Sequence, residues 1–187
     1  MKILGISGSP TKDGNNEKAI NIVLDIAKNN GFDVEQIFHS AIDINPCNAC
    51  GICAKGNDCP IDDDVKETLP KLIEADAIIV SSPVYFGSVS AQIKSLFDRS
   101  VILRRRGFAL KNKIGAALSV GGSRNGGQEK TIQIIHDWMH IQSMIIVGDG
   151  NHFGGILHKP IESDEIGIKT VEDTIENVCE VLNKFFK

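Results

Sequence analysis

The chain has 187 residues, 42% hydrophobic and 24% charged, a composition that excludes disordered and fibrous classes and a length that fits one domain, 1–187. Its net charge of −4 comes with only one basic cluster, Arg104, Arg105 and Arg106, which excludes the basic stripe of a nucleic-acid binder. No run approaches the ~18 apolar residues of a membrane span, and the start MKILGISGSP lacks the regions of a signal peptide, so no membrane partner is expected and the expected location is the cytoplasm.

The first β-branched, apolar run is Lys2–Ile6, followed by a helical pattern over Asn15–Asn29 with Ala19, Ile20, Val23, Ile26 and Ala27 on one stripe. Further strands are expected at Asp33–Phe38, Ala77–Ser82, Lys113–Val120 and Ser143–Val147, and further helices at Asp64–Ala75, Val89–Ser100, Gly127–His140 and Glu165–Phe186. Continuous rather than alternating hydrophobicity is what strands covered on both faces require. Five strands alternating with five helices give a doubly wound α/β fold, a three-layer sandwich whose common five-stranded parallel order is the flavodoxin-like 2-1-3-4-5. Asp149–Asp164 is expected to be irregular: a lid, an oligomer contact or a plain loop.

Between the second and third strands, in a loop expected over residues 45–62, Cys47, Cys50, Cys53 and Cys59 form C-x2-C-x2-C-x5-C, followed by Pro60. Two-residue gaps let a tight loop reach three corners of a cubane, and the longer gap brings round the fourth ligand. No second cysteine set exists to share ligands, so the motif predicts one [4Fe–4S] cluster. Structural zinc, the other four-thiolate option, generally uses two separated C-x2-C hairpins. Cys179 lies on the stripe Val171, Ile175, Val178, Leu182 and Phe186 and reads as a small core hydrophobe.

Three loops fall at carboxyl ends of strands, where one ligand could touch them together. Ser7, Ser9, Thr11, Asn15 and Asn16 surround the start of the first helix, whose free amides and dipole favour a phosphate. The loop matches neither dinucleotide nor nucleoside-triphosphate fingerprints, and the competing reading is an ordinary turn capped by Asn15. Pro83, Val84, Tyr85, Phe86 and Gly87 follow the third strand, and Ser119, Gly121 and Gly122 end the fourth. Rigid, aromatic and side-chain-free positions suit a flat ring.

SGSP…GNN, SPVYFGSVSAQIKSLFDR and SVGG together resemble the NADPH-dependent FMN reductase branch of the flavodoxin-like proteins. With the inserted cysteine motif, the chain resembles the iron–sulfur flavoproteins of methanogenic archaea. The resemblance implies FMN held by the phosphate loop, its ring bordered by Pro83–Gly87 and Ser119–Gly122. It also implies a ferredoxin-like electron donor and an acceptor such as O2 or H2O2. Homodimers that pair into homotetramers are implied, with the cluster of one subunit facing the flavin of a neighbour. Two alternatives remain at this level: an NAD(P)H-dependent FMN or quinone reductase, with the three arginines meeting a nucleotide phosphate or simply forming a solvated helix end, and a non-enzymatic redox sensor. His39, His136, His140, His152 and His158 are scattered and read as structural.

Overall fold

The central apolar runs have no polar face to leave in water and pair as parallel strands, while the edge strand DVEQIF stays partly exposed. In the computed structural model, which describes residues 1–185, one sheet contains β1 (Lys2–Ser7), β2 (Asp33–Phe38), β3 (Ala77–Pro83), β4 (Ile114–Gly121), β5 (Ile145–Ile146) and β6 (Gly155–His158). The order is β2-β1-β3-β4-β5, with β6 also on β4, and every pairing is parallel. Every residue of β3 and β4 is buried.

Successive side chains leave the strands on opposite faces, so each face carries its own core. Leu4, Ile6, Ile78 and Val80 pack under α2 (Val65–Glu74), α3 (Ala91–Arg99), α4 (Val101–Arg105) and α5 (Gln128–Ile141). Ile3, Ala77, Ile79 and Ile114 pack under α1 (Asn15–Asn29) and α6 (Glu165–Phe185). The result is the expected flavodoxin-like sandwich. Cys179 is buried on the stripe of α6, and burial pushes its thiol up to about 11. Phe186, assigned to the same stripe from the sequence, lies outside the described residues.

The fifth strand position corrects one expectation. Two segments fill it: β5 lies beside Ile114 and Gly115, and β6 lies beside Leu118–Gly121. The stretch Asp149–Asp164 is therefore not wholly irregular, because the chain leaves the sheet after β5 and re-enters it at Gly155. The helix expected over Val89–Ser100 is α3, and a further short helix, α4, follows it. The chain turns at Ser100, whose hydroxyl donates to the Phe97 carbonyl and accepts from Trp138 Nε1 and Gln142 Nε2. Among the described residues no helix is long and apolar enough to cross a membrane.

Candidate functional site

The phosphate loop is built from small residues because the chain must turn within a few residues of the sheet. Gly8 N donates to Ser81 O, and a Cβ on Gly8 would meet Ile93 Cβ at 2.7 Å. Thr11 N donates to Ser9 Oγ, and Asp13, at φ 54°, donates its amide to Glu17 Oε2. Gly14 begins α1 with no side-chain cap, so the first helical amides face the loop without an intrahelical partner. This replaces the capping role read for Asn15: its Oδ1 accepts from Ile161 N, 146 residues away.

Above this loop the ends of β3 and β4 complete a cleft of ≈280 Å³. Ser9, Thr11, Asn15, Asn16, Pro83, Val84, Tyr85, Gly121 and Gly122 all line it. Val84 N donates to Val120 O, which holds the third loop against the fourth strand. A Cβ on Gly121 would lie 2.3 Å from Gln128 Nε2, whose amide donates to Ser123 O and Leu157 O.

Four residues assigned to the cleft from sequence do not line it. Ser7 is fully buried as the last residue of β1, its carbonyl accepting from His39 N. Ser119 is fully buried inside β4, with its Oγ unpartnered. Phe86 and Gly87 form the tip of a tight turn in which Tyr85 and Ser88 exchange backbone hydrogen bonds, and Phe86 points into solvent. One residue was missed. Lys159, just after β6, lines the cleft with its amide on Gly121 O and brings a cation toward the anion site. Only the GG doublet before Ile156 signals that this segment rejoins the sheet.

The cysteine loop has a closed neck. Asp43 N donates to Asp64 Oδ2 and Asn45 N to Asp63 Oδ2. Arg99 then grips both sides, with Nη1 on Asn45 O (2.9 Å) and Asp63 Oδ2 (2.7 Å), and Nη2 on Asp63 Oδ1 (3.1 Å). The pair is buried, at 1% and 3% side-chain exposure. Burial alone would push the Asp63 carboxyl up, but Arg99 and the amides of Asn45 and Val65 outweigh it and hold it below the usual carboxylate range.

Within the loop, Ala49, Gly51 and Gly56 take left-handed backbone around a short 3-10 turn at Ile52–Lys55. Cys47, Cys50, Cys53 and Cys59 line one cavity of ≈220 Å³, together with Arg99, Ile102 and Arg105. Among the described residues no three His, Cys, Asp or Glu side chains are grouped closely enough to hold a single ion. The arginine cluster is not simply a solvated helix end: Arg105 Nη1 donates to Cys53 Sγ at 2.7 Å and Arg106 Nη2 to Asp58 Oδ1 at 2.6 Å.

Comparison with known proteins shows the family and the fold. Residues 1–155 match the NADPH-dependent FMN reductase family. An iron–sulfur flavoprotein of Methanosarcina thermophila is 59% identical over 182 residues, covering 97% of this chain and 95% of the relative. An iron–sulfur flavoprotein of Methanocaldococcus jannaschii is 47% identical over 189 residues, covering 97% of each. A flavodoxin, WrbA-like protein from Agrobacterium tumefaciens superposes with a TM-score of 0.68 at 17% identity, covering 98% of this chain and 97% of that one, a likeness of fold. The chain therefore belongs to the iron–sulfur flavoproteins of the NADPH-dependent FMN reductase family and is a flavin-dependent oxidoreductase.

Proposed function

We propose that the chain, acting as one domain, holds FMN in the cleft and one [4Fe–4S] cluster on Cys47, Cys50, Cys53 and Cys59. Electrons from a ferredoxin-like donor would enter one at a time at the cluster, and FMN would collect two for an acceptor such as O2 or H2O2. The observation that carries this reading is that all four cysteines of the motif line one cavity, beside the buried Arg99–Asp63 pair. Arg99 has a further donor, Nε, that is buried and unpartnered. A group carrying four thiolates is anionic, and it answers a buried cation with an unused N–H.

At the flavin cleft, the uncapped amides of α1, Ser9, Thr11 and Lys159 would bind the phosphate. Pro83, Val84 and Tyr85 would border one side of the ring. Gly121 and Gly122 leave backbone free to approach the other. The thiol cavity and the cleft share no lining residue, which supports the assembly implied by resemblance: a homodimer or homotetramer in which cluster and flavin meet across subunits. Free thiols at the motif suit a reducing compartment, the cytoplasm.

Anaerobic stopped-flow mixing tests the direction of electron entry. Reduced ferredoxin is expected to bleach the flavin absorbance faster than NADPH does. Faster, saturable reduction by NADPH would instead establish an NAD(P)H-dependent flavin reductase, the activity that the family's description names.

A further inference from the structure

Two arginines close on the cysteine loop, and neither is needed to bind FMN or to ligate iron. Arg99 ends α3 with both Nη atoms engaged by Asp63 and Asn45 O. Its Nε is buried without a partner, and its guanidinium lines the thiol cavity against Cys59. Arg105, one helix later, is exposed and donates to Cys53 Sγ. Arg105 thus reaches Cys53, and Arg99 shares the cavity with Cys59. A guanidinium stays charged at every physiological pH, so both charges are permanent features of the cavity.

We infer that Arg105 is a positioning residue that sets the reduction potential of the cluster, and that Arg99 fixes the loop that carries its ligands. This rests on the cluster reading above. Taking up one electron from the donor adds one negative charge to a centre that is already anionic. Fixed positive charge and N–H···S bonds stabilise the reduced form more than the oxidised one, which raises the potential. Arg99 is balanced by the buried Asp63 carboxylate, so its charge adds little here and its part is to hold the loop. Arg105 acts from the surface, where its contribution is easier to isolate.

The test is an anaerobic potentiometric titration of the parent protein, Arg105→Gln and Arg105→Lys, with iron and sulfide counted in each. Arg105 is exposed, so its variants keep the fold. At parent iron and sulfide content, Arg105→Gln is expected to lower the equilibrium constant for one-electron reduction about tenfold, a shift of ~59 mV. Arg105→Lys, which keeps the charge, is expected to recover part of that shift. A merely structural arginine would leave the potential where it was, and an unchanged midpoint potential in Arg105→Gln at parent iron content overturns the inference. Arg99→Lys keeps a charge but loses the two-pronged grip on Asp63. It is expected to bind less iron than the parent, and parent iron content in Arg99→Lys overturns the clamping role. A parent chain without iron and sulfide would sink the cluster reading itself, an outcome that the metal count alone distinguishes.

Discussion

His39 shows how one residue couples stability to pH. It follows β2, fully enclosed, with Nδ1 against Ser7 O and Nε2 without a partner. Burial pushes its pKa down to about 4, opposed by the hydrogen bond to Ser7. The unfolded chain, with an ordinary imidazole near ~6.5, takes up the proton first as pH falls. This contribution to stability is therefore complete above ~6.5 and is lost as pH falls toward 4. Urea unfolding at pH 7 and pH 5 should show the parent losing roughly 2 kcal/mol through this group, with His39→Gln losing less. Equal losses in both would assign the acid limb to other groups. Arg99 makes the opposite case, a buried charge with a partner. Arg99→Ala leaves Asp63 buried and unpaired, an expected loss of about 3–5 kcal/mol in chemical denaturation. The cysteines were legible because their spacing is local. Arg99 was not, because its partner lies 36 residues away and nothing between Asp63 and Arg99 marks the pair.

At the scale of elements, four of the five strand positions and most helices were legible from continuous apolar runs and helical spacing. The fifth was legible only in part, because a two-residue segment inside the expected Ser143–Val147 and a separate four-residue segment replace a continuous run. Gly154 sits at φ 151°, and a Cβ on it would lie 2.2 Å from Ala117 O; on Gly155 it would lie 2.4 Å from Leu118 Cδ2. Only glycines let β6 come this close to β4, and β6 in turn delivers Lys159 to the cleft. Gly155→Val is expected to cost about 1–3 kcal/mol through overpacking and to weaken FMN binding, as read from thermal unfolding and from quenching of flavin fluorescence. The turn after β3 offers a change of opposite sign. Phe86 and Gly87 have φ of 50° and 81°, the pattern of a type I′ turn that favours Asn-Gly. A large aromatic there is strained, and since Phe86 packs on nothing in the chain, Phe86→Asn should raise stability by up to about 1 kcal/mol in the same unfolding measurement.

For the whole molecule, the sheet places the phosphate loop, the third loop and Lys159 at one set of strand ends, while the thiol cavity opens against α3 and α4. The fold class could be read from the sequence because α/β alternation is continuous in the chain, and the cysteine motif stood out because its four residues are close together. Any contact between subunits could not be read, since no pattern along one chain is diagnostic of it. If cluster and flavin meet across subunits, chains of Cys50→Ser mixed with chains of Gly155→Val should show more ferredoxin-driven turnover than the sum of the two alone. Turnover no greater than that sum in well-exchanged mixtures would place both centres of one electron path in a single chain.

The most direct measurement is the content of iron, sulfide, zinc and flavin in protein purified without oxygen, for the parent and for Cys50→Ser. About four irons, four sulfides and one FMN per chain are expected in the parent, with iron and sulfide lost and FMN retained in the variant. Zinc in place of iron, iron that survives loss of Cys50, or a chain without flavin would contradict the two-centre account.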